Sequence, residues 1–126
     1  LRFFLNEGND QFSEKWFYPM YGASRIEVAD FDQDGDLDIV AVSFFPDKAQ
    51  EPRQDLVYFQ NNGGMRFKPF TTQLDFKANL LVVSTGDIDQ DGDLDILAGT
   101  FDFDDLYSPA NKKWTPILLL KNNILN

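Results

Sequence analysis

Apolar residues along this chain fall in short runs bounded by Gly, Pro, Asn and Asp, and no stretch repeats them at the spacing of an amphipathic helix. Strands are predicted over residues 24–29, 39–42, 55–60, 65–70, 79–84 and 96–98, where Val, Ile, Leu and Phe concentrate. Over 65–70, Met65, Phe67 and Pro69 alternate with Arg66 and Lys68, the period of a strand with one buried face. Asn62-Gly63 separates two of these runs and accepts the positive φ of a tight hairpin turn.

The pattern repeats. Residues 4–12 align without gaps on 59–67, sharing Phe4/Phe59, Asn6/Asn61, Gly8/Gly63 and Phe12/Phe67, and a third copy begins at residues 118–123. Each unit reads as strand, acidic loop, strand, variable connection, strand, Asn-Gly turn, strand. Four strands in under about sixty residues is the size of one propeller blade. The expected class is therefore all-β: β-propeller blades of four antiparallel strands, about two blade equivalents of a larger propeller. The expected division is a final hairpin of a preceding blade over 1–20, a complete blade over 21–76 and a second, truncated one over 77–126. Since residue 1 already lies in an expected strand, the chain is read as a piece of something longer. Trp16 and the repeated Phe4, Phe12, Phe59 and Phe67 are expected in the core between strands.

The most specific feature lies between strands. Residues 30–38 (DFDQDGDLD) and 87–95 (DIDQDGDLD) differ only at the second position. Carboxylates this dense repel one another unless a cation sits among them, and a hard divalent ion with oxygen ligands, Ca²⁺ above all, suits them. Aspartates at positions 1, 3 and 5 can wrap one ion, and glycine at position 6 permits the sharp turn. The expected side-chain ligands are Asp30, Asp32, Asp34 and Asp38, with Asp87, Asp89, Asp91 and Asp95 in the second copy. At position 7, Asp36 and Asp93 are expected to offer the backbone carbonyl and leave their carboxylates outside. Leu37 and Leu94 at position 8 are expected to turn into the core. An EF-hand would need a bidentate Glu at position 12 and flanking helices, but Ala41 and Ala98 stand there. Without that Glu, affinity is expected on the order of 10⁻⁵ to 10⁻³ M, which suits extracellular calcium.

Composition narrows the function. The net charge is −10, yet ten of the 21 acidic residues lie in the two loops, so two Ca²⁺ ions would bring the total to −6. Acidity of this kind disfavours nucleic acid or anionic membranes as partners. The chain has no Cys and no His, which removes disulfides, thiolate sites and imidazole acid–base catalysis. No apolar run approaches a membrane span, so no membrane insertion is expected. Glu7, Glu14, Glu27 and Glu51 share no spacing that suggests a catalytic pair, and no enzymatic role is expected.

Strand, Asp-x-Asp-x-Asp-Gly-x-x-Asp, strand and Asn-Gly hairpin together resemble the FG-GAP/VCBS-type repeats of calcium-binding β-propellers, found in bacterial repeat proteins and in the integrin α-subunit head. The resemblance implies Ca²⁺ held by positions 1, 3, 5 and 9 and the carbonyl of position 7. The literal Phe-Gly and Gly-Ala-Pro sequences of integrins are absent, with Tyr21-Gly22-Ala23 the nearest echo, which favours the bacterial type. It further implies an extracellular, periplasmic or cell-surface module for adhesion or ligand binding, with a protein or glycan on the variable connections and neighbouring blades of the same parent chain at its sides. The alternative is a carbohydrate-binding or polysaccharide-lyase-type propeller. Phe44, Phe45, Phe101, Phe103, Tyr107 and Trp114 would then stack on sugar rings, and Lys112 and Lys113 would meet an acidic sugar.

Overall fold

Short β-prone runs punctuated by turn residues become strands, as a computed structural model describing residues 1–72, 74, 79–102 and 115–124 shows. The strands are β1 (Arg2–Gly8), β2 (Gln11–Phe17), β3 (Ala23–Ala29), β4 (Asp38–Ser43), β5 (Leu56–Asn61), β6 (Phe67–Thr71), β7 (Asn79–Gly86), β8 (Asp95–Phe101) and β9 (Ile117–Leu120). No helix occurs among the described residues. The strands pair in chain order into three antiparallel sheets: β1-β2, β3-β4-β5-β6 and β7-β8-β9. The all-β expectation holds, and among the described residues no sheet closes on itself.

The four-stranded sheet lies between the other two. Every residue of β4 is buried, and its side chains alternate between two cores. Ile39 and Ala41 join Val57 and Phe59 of β5 on one face, where Trp16, Tyr18 and Met20 cover them. Val40 and Val42 join Leu56 on the other, against Leu80 and Val83 of β7 and Ala98 of β8. A strand covered on both faces reads as an unbroken apolar run, which Ile39-Val40-Ala41-Val42 is. Aromatic edges close the first core: Trp16 meets Phe59 at 5.1 Å and 82°, and Tyr18 meets it at 4.9 Å and 76°.

Three expectations need correction. Phe4 and Phe12 are 49% and 64% exposed, because they lie on the face of the hairpin sheet turned away from the four-stranded sheet. Met65 is not a strand residue. Its φ of 62° places it in a turn with Gly63 and Gly64, and β6 starts only at Phe67. Leu37 is 58% exposed, whereas Leu94 packs on the second core. The same loop position has different neighbours: Leu94 packs with Phe31 and Tyr58 on the second core, whereas Leu37 joins neither core cluster.

Where a sheet lacks strands, its neighbour lies open. Ile26 and Val28 of β3 stay 46% and 49% exposed opposite the two-stranded sheet. On the other side β9 is an edge strand. An open cleft of about 630 Å³ lies beside it, lined by Tyr58, Phe70, Thr71 and Leu120 among others.

Replacing Phe59, fully buried among Trp16, Tyr18 and Phe67, by Ala is expected to cost about 3–5 kcal/mol of unfolding free energy, read by urea denaturation.

Candidate metal centre

Both acidic loops join the first two strands of their sheets, β3 to β4 and β7 to β8, so they occupy the same end of the stack. They adopt one conformation. The carboxylate of Asp30 accepts the N–H groups of Asp34 at 3.1 Å and Gly35 at 3.0 Å. That of Asp87 accepts Asp91 at 3.1 Å and Gly92 at 3.2 Å. Position 5 then accepts the N–H of position 7, Asp36 to Asp34 at 2.9 Å and Asp93 to Asp91 at 3.2 Å. Such a tight coil needs positive φ twice: at Gly35 and Gly92 (94° and 97°), and at Gln33 and Gln90 (58° and 63°).

Position 9 ties the loop to the hairpin. Asp38 is fully buried; it accepts the Phe31 N–H at 3.2 Å, the Tyr58 hydroxyl at 2.8 Å and the Asn61 N–H at 2.7 Å. Asp95, equally buried, accepts the N–H groups of Ile88 and Asn122, both at 3.0 Å. Burial, then the bond to Asp38, pushes the Tyr58 hydroxyl well above its usual range, so it stays a donor.

The hairpin also reaches position 3. Gln60 donates from its amide to Asp32 Oδ2 at 2.6 Å, and Lys121 donates from its ammonium to Asp89 Oδ2 at 2.7 Å. The Lys121 ammonium, through that hydrogen bond, holds the Asp89 carboxyl below the usual carboxylate range, and Asp89 in turn raises Lys121. The asparagine that ends β5 and the one just after β9 contribute too. Asn61 Nδ2 donates to the Leu37 carbonyl at 3.1 Å, and Asn122 Nδ2 crosses to the Phe31 carbonyl of the other loop at 2.7 Å. Gln33 Nε2 makes a second bridge between the loops, to the Gly92 carbonyl at 3.1 Å.

Oxygens of Asp30, Asp32 and Asp38 lie within 4.8 Å of one another, as do those of Asp87, Asp89 and Asp91. Oxygens about 2.4 Å from a calcium ion span at most about 4.8 Å across it, so each triad fits one coordination sphere. Asp32 Oδ1 is buried and has no hydrogen-bond partner, a costly state for a carboxylate oxygen that a cation would relieve. The donor set is all oxygen, and the residues fit a hard divalent ion. Asp34 and Asp95, expected as ligands, fall outside these triads. At position 7, Asp93 lies outside the triad, and its carboxylate is 1% exposed, accepting the Ile124 N–H at 3.2 Å. Asp36 is half-buried.

Sequence reasoning did not find the roles of Tyr58, Gln60, Asn61, Lys121 and Asn122. A signal was present for the asparagines, since Asn61 is one of the repeated hairpin positions, but it reads equally well as a turn residue.

At the other end of the sheets, Phe44 packs on Phe45 at 4.7 Å and on Phe101 at 6.3 Å, so these aromatics make one cluster across two sheets. Phe45 remains 63% exposed. Phe103, Tyr107, Lys112, Lys113 and Trp114 of the sugar-stacking expectation lie outside the described residues. Gly22, with φ +66°, opens β3 where an added Cβ would lie 2.3 Å from the Phe45 carbonyl oxygen.

Residues 1–41 match the family model of the FG-GAP-like repeat. The matched segment runs from the β1-β2 hairpin through β3 and the first acidic loop into β4, and agrees with the resemblance carried by hairpin and loop. No curated protein and no solved structure gives a significant match to the chain.

Asp38→Ala would strand two buried N–H groups and a hydroxyl and is expected to cost about 2–4 kcal/mol in chelator. Asp34→Ala, at an exposed position, is expected to cost at most about 1 kcal/mol there. Equal losses in parallel chemical denaturations would show that the position-9 carboxylate has no special structural weight.

Proposed function

We propose that the chain is part of a calcium-binding β-propeller, a non-enzymatic structural and interaction module working outside the cytosol. The observation that carries this reading is the repeated carboxylate coil. Two loops of one conformation each gather three carboxylates within one coordination sphere, and in the first loop a buried oxygen lacks any partner. Asp30, Asp32 and Asp38 would hold one Ca²⁺, with Asp34 and Asp36 beside them. Asp87, Asp89 and Asp91 would hold the second, beside Asp93 and Asp95. The ion would neutralise the crowded carboxylates and stiffen the corner between the first two strands of each sheet.

Face-to-face packing of successive sheets supports the propeller part of the reading, and so do the places left open. Ile26 and Val28, and the cleft beside β9, lie where a neighbouring blade with its full set of strands would cover them. Neighbouring blades of the same parent chain are thus the first partners. A protein or glycan ligand would use the variable connections at the end away from the aspartates, where Phe45 stands exposed.

With a dissociation constant near 10⁻⁴ M, ~5 mM Ca²⁺ would add ~2 kcal/mol of stability per loop by mass action. The melting temperature is therefore expected to rise in calcium and fall on chelation. An unchanged melting temperature in calorimetry overturns the calcium reading. Taken alone, the chain is expected to self-associate through its open faces and the β9 edge. A clean monomer by light scattering would contradict the neighbouring-blade reading.

A further inference from the structure

The two loops match at eight of nine positions, yet the hairpins that reach them differ in one charge. Gln60 puts a neutral amide on Asp32 Oδ2, while Lys121 puts an ammonium on the corresponding atom of Asp89. Resting on the calcium reading above, we propose that Lys121 acts as a built-in competing cation, making the second loop the weaker calcium site and the first loop the principal one.

Three observations carry this. First, the contacts are equivalent in place: both donors lie one residue before the asparagine whose N–H binds the position-9 carboxylate. The comparison therefore sets an amide against an ammonium at the same point of the coil. Second, the loops differ at position 3 in what is already met. Asp32 Oδ1 is buried without a partner, whereas Asp89 is already paired with a full positive charge at 2.7 Å. Third, the ammonium sits on a carboxylate of the triad itself, so an arriving ion must either share Asp89 with it or displace it.

The size of the effect follows from Coulomb's law. A double and a single positive charge about 5 Å apart repel enough, even in a water-like dielectric, to weaken binding on the order of tenfold. Lys121 is half-exposed on a flexible stem and can swing into solvent, which sets the effect nearer this value than the far larger one of a dry interior. Without calcium the roles reverse: the second loop keeps a partial neutralisation that the first lacks. Chelation should therefore loosen the first loop more.

The test is calcium titration by calorimetry on variants that each leave one loop intact. Asp87→Asn isolates the first loop and Asp30→Asn the second, and the first is expected to bind Ca²⁺ about tenfold more tightly. Adding Lys121→Gln to the Asp30→Asn chain is expected to recover most of that factor. Adding Gln60→Lys to the Asp87→Asn chain is expected to lose it. Should a loop variant not fold, the same exchanges in the unaltered two-loop chain are read as the gap between two binding steps. Lys121→Gln should then close the gap by tightening the weaker step, and Gln60→Lys by weakening the stronger. Two ions bound with equal affinity, or a gap that Lys121→Gln leaves in place, overturn the inference while leaving the calcium reading intact. No binding heat in any variant or in the parent chain defeats the calcium reading itself, and this inference with it.

Discussion

Asp38 and Asp95 each do what no apolar residue at their position could: they fasten three parts of a sheet with one side chain. The Asp38 carboxylate takes an N–H from its own loop at Phe31 and one from Asn61 at the end of β5, and a hydroxyl from Tyr58 beside it. A buried carboxylate is affordable only when its lone pairs are met, and here backbone and phenol meet them. The acidic coil, the second strand and the hairpin strand are thereby held in one register. Everything else at this end of the stack, from the Gln60 and Lys121 contacts to the bridges between loops, depends on that placement.

The pattern of exposure follows from which strands each sheet possesses. Sheet-on-sheet packing buries β4 completely because it has a neighbour on each face. β3 has β7 against one face and little against the other, so Ser24 and Ala29 are half-buried while Ile26 and Val28 face solvent. The same logic separates Leu37 from Leu94, and Phe4 from Phe59. Identical positions in the repeat take different environments because the stack supplies a neighbour to one copy and not to the other.

That asymmetry sets how far the sequence could be read. Strand existence, the chain-order pairing, the repeat and the acidic coil were all legible, because alternation, turn residues and a doubled nine-residue pattern are local signals. The family-model match over residues 1–41 agrees with them. Burial of individual repeat positions was not legible, since it depends on the adjacent sheet and not on the residue's own strand; Phe12 and Leu37 failed for that reason. The hairpin donors escaped for a different one. Gln60 and Lys121 differ in chemistry, so nothing in an identity-based alignment marks them as equivalent until the geometry puts both on position 3. Met65 was misplaced because an apolar residue at positive φ looks, in sequence, like the start of a strand.

The geometry also bears on what kind of work a cation could do here. In the EF-hand a distant bidentate Glu closes on the ion and drags a helix with it. In these loops the carboxylate that links coil to hairpin is already fixed by two backbone N–H groups, and position 1 already organises the turn through two more. The frame thus stands through bonds that need no metal, and an ion arriving among Asp30, Asp32 and Asp38 would find the carboxylates pre-positioned. Binding energy would then go into relieving repulsion and stiffening the corner, with little left to drive a rearrangement of strands. Under the proposed reading, a partner on the first variable connection would lie at the far end of β4, a strand whose every residue is buried. Such a strand transmits rigidity better than motion, so under the proposed reading the aspartate loops would brace a recognition surface and not trigger it.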